Sequence, residues 1–208
     1  IEEALKNQIQ RQRIDVAVEM IGGPDLLVLD CGAGDGAISE MIKMKGNEVI
    51  SVDFGEVIKT SKGKGLDAFA AEATRLPFRD EVFDAGFFGE IIEHQIEYRP
   101  FLLEAKRILK PNGRVVLTTP NVGRLRNRLS GILGDTTPWH EWDKPIHHVR
   151  YWTFFSLSQA LAKEGFLVGR VGTGMSQGEG CILEEPQTIF DYMRGQWSME
   201  MVESFRDM

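Results

Sequence analysis

The sequence is poor in cysteine: Cys31 and Cys181 are the whole complement of a 208-residue chain. Two thiols cannot build the disulfide framework of a small secreted domain, and their wide separation fits no structural zinc spacing. A reducing, cytoplasmic setting is therefore expected. Long apolar runs are also missing. No uncharged stretch approaches the roughly 20 residues of a membrane span, and Glu2 and Glu3 stand where a secretory leader carries basic residues, so neither a span nor a leader is expected. Ile1 is not an initiator methionine, which leaves open whether residues precede it. Positive charge is scarce as well: 24 Lys and Arg against 31 Asp and Glu give a net charge of −7, which argues against broad electrostatic binding to nucleic acid while leaving room for a local basic patch. What is present is ordinary for a folded protein, with 42% hydrophobic and 26% charged residues. A chain this long removes roughly 70% of its unfolded surface from water and needs neither disulfide nor structural metal to hold a core.

Short apolar runs alternate with helical patterns, the signature of a mostly parallel sheet covered by helices on both faces. Strands are expected at Asp25 to Asp30, Glu48 to Asp53, Asp67 to Ala71, Val82 to Phe88 and Arg114 to Thr119. Helices are expected at Glu2 to Met20, Ile38 to Lys45, Glu56 to Lys62 and Pro100 to Leu109, the last followed by the turn Lys110-Pro111-Asn112-Gly113. Residues 121 to 150 break this rhythm with Arg124, Arg126, Arg128 and three of the four histidines, and read as an insertion over a site rather than a second domain. Beyond it come a helix at Phe155 to Lys163, a strand at Gly165 to Val171, an edge strand at Cys181 to Leu183 and a helical tail from Glu184 to Arg206. The tail's apolar residues are expected to pack on the chain itself or on a second copy in a homodimer.

The segment Leu26 to Gly36 reads as a buried strand running into a glycine-rich turn that opens a helix. Gly32 and Gly34 allow positive φ and close approach of a ligand, and the amides of the following helix are expected to face the bound group. Gly32, Gly34 and Ala37 also satisfy the dinucleotide pattern G-x-G-x-x-A, with Asp53 spaced as a ribose-binding acid. Asp30 discriminates between the two readings, because a carboxylate beside a pyrophosphate repels it whereas a cationic amino group is attracted.

These motifs, in this order from Asp25 to Asn121, resemble the class I S-adenosylmethionine-dependent methyltransferases of the type-11 and type-12 families. The supporting strings are Asp30 to Gly36, Asp53, Glu72-Ala73-Thr74-Arg75-Leu76-Pro77-Phe78, Phe83-Asp84-Ala85-Gly86 and Leu109-Lys110-Pro111-Asn112-Gly113. The resemblance implies an α/β, Rossmann-like fold with a seven-stranded, mostly parallel sheet whose last strand is antiparallel. It implies one domain over 1–208: an N-terminal helix at 1–24, a cofactor-binding core at 25–120, a substrate-side insertion at 121–150, and the rest of the sheet with a helix at 151–208. It also implies S-adenosylmethionine as cofactor, with Asp30, Cys31, Gly32, Ala33 and Gly34 at the methionine end, Asp53 at the ribose, and Glu72 with the Ala73 amide at the adenine edge. Glu72 departs from the Asp usual there. Phe54 flanks the adenine or belongs to the core.

Glu90, Glu93 and His94 fall at i, i+3 and i+4, which on a helix puts two carboxylates and an imidazole on one face. Such a face suits a divalent cation such as Mg²⁺ or Mn²⁺. The string resembles the E-x-x-E-H of ubiquinone-pathway O-methyltransferases and of small-RNA 3′-terminal 2′-O-methyltransferases, where it ligates a cation. In the latter, T-P-N and a later histidine before Trp-Thr complete the pattern, matched here by Thr119-Pro120-Asn121, His148 and Trp152-Thr153. The resemblance makes His148 the fourth ligand, with His147 as alternative. Without metal, His94 or His148 is the candidate general base, and Glu90 also borders the cofactor. The reaction expected is O-methylation of a small or lipid-linked metabolite. RNA 2′-O-methylation, a dehydrogenase on the same turn and a non-catalytic cofactor-binding subunit stay as alternatives. Trp139, Trp142 and Trp152 are either a substrate wall or anchors for the insertion. The three arginines are either a solvated face or a site for a substrate phosphate or carboxylate.

Overall fold

The computed structural model describes residues 8–123, 125–133, 148–173, 181–183 and 199–206. Five parallel strands form its centre, β1 (Leu27–Cys31), β2 (Glu48–Asp53), β3 (Asp67–Ala70), β4 (Phe83–Gly89) and β5 (Leu109–Pro120), ordered β3-β2-β1-β4-β5. Beyond β5, the strand β8 (Met199–Arg206) pairs antiparallel with β5 and with β6 (Phe166–Thr173), and β7 (Cys181–Leu183) lies antiparallel on β6. The described strands thus number eight. The helices are α1 (Gln8–Ile21), α2 (Ala37–Met44), α3 (Ile58–Gly63), α4 (Tyr98–Ile108), α5 (Leu125–Ile132) and α6 (Phe154–Lys163).

Alternation along the strands sends neighbouring side chains to opposite faces and builds two cores. Val28, Phe87 and Val116 pack with Ile14, Ala17, Val18 and Ile21 of α1 and Ile38 and Ile42 of α2. Their neighbours Leu29, Phe88 and Leu117 face the other way, against Phe101, Leu102, Ala105 and Ile108 of α4 and Leu157 and Leu161 of α6. Each fully buried aromatic such as Phe87 or Phe88 contributes roughly 1.5–3 kcal/mol from apolar burial. Thr153 opens α6 with a capping box, its hydroxyl accepting from the Ser156 amide while Ser156 accepts from the Thr153 amide.

Several boundaries differ from those read in the sequence. β1 starts at Leu27 because Asp25 sits at φ 67, outside extended geometry. The expected turn Lys110 to Gly113 is a bulge within β5: pairing jumps from Phe83↔Leu109 to Ala85↔Arg114, and Asn112 adopts φ 62. The largest correction concerns the tail, where residues 199–206 form strand β8 in place of the expected helix. The β5 edge offers a row of unpaired backbone groups, which the extended segment satisfies by pairing Arg114↔Phe205 through Pro120↔Met199. The rest of the expected tail helix, 184–198, lies outside the described residues.

Candidate active site at the carboxyl edge of the sheet

The strands β1, β2 and β4 end at one edge, and two cavities open there. One, of about 290 Å³, is lined by Cys31, Gly32, Asp53, Phe54, Ala71 to Thr74, Ile91 and Gln95. The other, of about 430 Å³, meets Gly34, Gly89, Glu90, His94 and Thr118, with Ile14 and Ala17 of α1 closing one side. Gly32, Asp53 and Ile91 belong to both walls, so the cavities adjoin at the glycine turn. An elongated ligand lying across Asp53 would reach both.

The turn itself is tightly specified. Gly32, Gly34 and Gly36 all have positive φ, and a Cβ on Gly32 would stand 3.0 Å from the Ile91 side chain and 3.1 Å from the Gly89 carbonyl oxygen. The amides expected to await a ligand are already engaged. Gly32 and Ala33 donate to the Val52 carbonyl, Gly34 donates to Asp53 Oδ2 at 2.7 Å, and Ala37 donates to Asp35 Oδ1. These amides therefore have acceptors within the chain and do not face an open cavity unpaired. The Asp53 carboxylate, fixed by the Gly34 and Phe54 amides, keeps further lone pairs toward both cavities.

Asp30 sits behind the turn, fully buried and outside both linings. Its Oδ2 accepts from Ser39 Oγ at 2.5 Å, and Ser39 Oγ lies 2.7 Å from Ser51 Oγ. Oδ1 has no hydrogen-bond partner. Burial pushes its pKa from 3.8 up to about 7, against the lowering effect of the Ser39 hydrogen bond. From behind the turn its ionised form acts on a cationic ligand group through charge rather than contact. The Cys31 thiol is buried and pushed upward in pKa by desolvation, so it stays protonated, and the residue packs in the core while bordering the smaller cavity. Among the adenine-edge candidates, Glu72, Ala73 and Phe54 all line the smaller cavity, and Phe54 is 73% exposed at its rim rather than part of the core.

The Glu90-to-His94 segment is not the expected helix. Glu90 adopts φ 55 and Ile92–His94 is one 3-10 turn, so i, i+3, i+4 spacing does not put the three side chains on one face. Thr118 donates to Glu90 Oε1 at 2.7 Å and Thr119 donates to Glu93 Oε2 at 3.0 Å. The two carboxyl groups nonetheless lie side by side, each held by its own threonine, and the contact with Glu90 adds to the upward push on Glu93. Glu90 lines the larger cavity; Glu93, buried, does not. Burial, with Glu90's charge adding to it, pushes Glu93 up to about 8. Its Oε1 lacks a partner.

His148 is brought to His94 with ring centroids 4.9 Å apart. Glu93, His94 and His148 each offer a ligand atom within 4.8 Å of the others, whereas Glu90 stands outside this group. Of the two histidines only His94 lines the cavity. His147, His140, Trp139 and Trp142 lie outside the described residues, as does Arg124. Trp152 is buried in the core and edge-on to Tyr98, so it anchors the chain and forms no substrate wall. Ile14, Ala17, Thr118 and Gln95 are lining residues that the sequence reading passed over. The apolar stripe of α1 marks Ile14 and Ala17 as buried but not as facing a cavity.

Residues 29–117 match a family model described as a methyltransferase domain. Over 93 residues the chain is 38% identical to a demethylmenaquinone methyltransferase of Paenarthrobacter aurescens, covering 43% of this chain and 37% of that protein. Over 104 residues it is 34% identical to a ubiquinone biosynthesis O-methyltransferase of Parvibaculum lavamentivorans, covering 47% of this chain and 41% of that protein. The chain spans less than half the length of either relative. A solved structure of a SAM-dependent methyltransferase from Thermotoga maritima superposes with a TM-score of 0.72 over 99% of this chain and 94% of that one, at 17% identity. That likeness establishes the fold.

Proposed function

We propose that this chain, whose residues 29–117 form a class I S-adenosylmethionine-dependent methyltransferase domain, transfers a methyl group to a hydroxyl oxygen of a small acceptor. The carrying observation is the pair of cavities that adjoin at Gly32 and Asp53, one bordered by Phe54, Glu72 and Ala73, the other by Glu90 and His94. In this reading Asp53 accepts from ribose hydroxyls and Glu72 accepts at the adenine edge, both on the wall of the smaller cavity, while Asp30 acts from behind the glycine turn through its charge on the amino acid end. The cofactor supplies a methyl group already activated on a sulfonium. The protein's work is alignment and exclusion of water. Ile14 and Ala17 cover the larger cavity, which supports reading α1 and the core as one working domain.

His94, at the cavity wall, takes the acceptor proton in this reading, with His148 and the Glu93 carboxyl behind it fixing the ring. A second version is favoured by the unpartnered, buried Glu93 Oε1. Glu93, His94 and His148 would hold a divalent cation, which would lower the pKa of a nearby hydroxyl.

Calorimetry with S-adenosylhomocysteine and with NAD tests the cofactor: uptake of the former and not the latter is expected, and the reverse overturns the proposal. Transfer of a labelled methyl from S-adenosylmethionine to catechol, measured with the whole chain, tests the chemistry. Activity abolished by EDTA and restored by Mn²⁺ selects the cation version; activity indifferent to EDTA and lost in His94→Ala selects the base.

A further inference from the structure

Resting on the reading that His94 and His148 act together, we propose that Arg150 is a positioning residue that holds His148 against His94. Residues 148–152 cross the 3-10 turn Ile92–His94 as a strap. The amides of Val149 and Arg150 both donate to the Glu93 carbonyl oxygen, each at 3.0 Å. These two bonds tie the strap to the residue between Ile92 and His94, but a carbonyl that accepts twice leaves the strap free to pivot about one point. The far end is fixed separately, by the bridge between Asn121 and Trp152 and the bond from the Val122 amide to the Trp152 carbonyl.

Arg150 closes the gap between these anchors. Its guanidinium carbon lies 4.9 Å from the centroid of Tyr98 and 5.7 Å from that of Trp152, two rings that meet edge-to-face at 5.2 Å. Its Nη2 donates to the Ile96 carbonyl at 2.7 Å. One side chain therefore links the strap to the start of α4 through Tyr98, to the core through Trp152, and to the segment that follows His94 through Ile96. Nε is buried and has no hydrogen-bond partner. An ammonium on a flexible stem cannot lie over both rings and bond the Ile96 carbonyl from one planar group, so the arrangement is specific to arginine. With the pivot blocked, His148, two residues before Arg150, keeps its ring 4.9 Å from that of His94.

The test uses ring-proton NOEs between His94 and His148 in the 208-residue chain, with S-adenosylhomocysteine affinity measured alongside. The wild type is expected to show the NOE. In Arg150→Ala the NOE is expected to vanish while affinity for S-adenosylhomocysteine stays within about twofold, since Arg150 lines neither cavity. If Arg150→Ala does not fold, Tyr98→Leu removes one face of the stack and is expected to weaken the same NOE. A His94–His148 NOE that persists at full intensity in either folded variant overturns the proposal. Failure of the underlying reading gives a different pattern: methyl transfer to catechol that survives in both His94→Ala and His148→Ala.

Discussion

Thr118 and Thr119, neighbours on β5, give their hydroxyls to different carboxylates, Glu90 at 2.7 Å and Glu93 at 3.0 Å. The consequences of losing each differ. Glu93 is 1% exposed and one of its oxygens already lacks a partner, so Thr119→Val removes a hydrogen bond from a group that water cannot rescue. A loss of about 1–3 kcal/mol of stability is expected. Glu90 borders an open cavity, where water replaces the hydroxyl, and Thr118→Val is expected to cost about 1 kcal/mol or less. Thermal unfolding of the two near-isosteric variants decides the matter. Equal losses would contradict the difference in burial between the two carboxylates.

Asp30 makes the protein's behaviour depend on pH with a sign opposite to that of most acids. Its folded pKa, raised by burial from 3.8 to about 7, means that between these values the folded state holds a proton that the unfolded state has lost. Stability therefore falls as pH rises through that window and flattens above it, with a total effect of order 2–4 kcal/mol. Asp30→Asn is expected to gain on the wild type as pH rises from 4 to 7. A ligand ammonium at the glycine turn favours the ionised form through its charge, so binding of S-adenosylhomocysteine releases a proton and wild-type affinity is expected to increase up to pH about 7. Parallel affinity profiles for wild type and Asp30→Asn would show that the carboxylate does not act on the amino group.

Much of this edge was legible in the sequence because it depends on local rules. Glu48 to Asp53 is a strand with the very bounds its apolar run suggests, and the glycines at 32 and 34 do adopt positive φ. Glu90 was illegible. A glutamate at φ 55 carries no composition signal, and the helix that the spacing implies is replaced there by a single 3-10 turn. The engaged amides of the turn were illegible for a related reason: their acceptors, the Val52 carbonyl and the Asp53 carboxylate, come from the neighbouring strand. Residues 199–206 were misread because an isolated segment with mixed polarity has no preference strong enough to withstand the open edge of β5. His148 came from a motif resemblance, and the structure places it beside His94 without placing it on the cavity wall.

The glycine turn yields separable outcomes for two alanine substitutions. At Gly36 a Cβ would stand 2.5 Å from Leu66 Cδ1 and 2.9 Å from Ser61 Oγ, both buried, at φ +83. Gly36→Ala is expected to destabilise by about 1–3 kcal/mol, from the left-handed backbone together with the clash. At Gly32 the added carbon would press on Ile91 and the Gly89 carbonyl, which border the cavities. Gly32→Ala is expected to reduce affinity for S-adenosylhomocysteine at least tenfold. Calorimetric titration of each variant, at a temperature where both are folded, separates the two effects; unchanged affinity in Gly32→Ala would mean that the ligand does not approach this turn.

Arg107 organises the far wall of the smaller cavity from outside it. Its guanidinium donates to both Glu104 oxygens, to Asp80, and to the carbonyls of Leu76 and Phe78, while Glu104 also accepts from the Leu76 amide at 2.6 Å. The segment that follows Glu72 to Thr74 is thereby tied to α4. The Arg107 hydrogen bonds lower the Glu104 pKa. A depressed acid contributes stability above its unfolded pKa, near 4.5, and loses it as pH falls through the folded value. With the arginine side chain 31% exposed, solvent screening limits the effect, and Arg107→Ala is expected to cost roughly 1–3 kcal/mol at neutral pH. The difference from wild type should shrink as acidification passes below the depressed wild-type value, where Glu104 is protonated in both. Denaturant unfolding along a descending pH series measures it, and a gap that stays constant down to the acid limit of the folded state would assign Arg107's contribution to its carbonyl contacts instead of its ion pair.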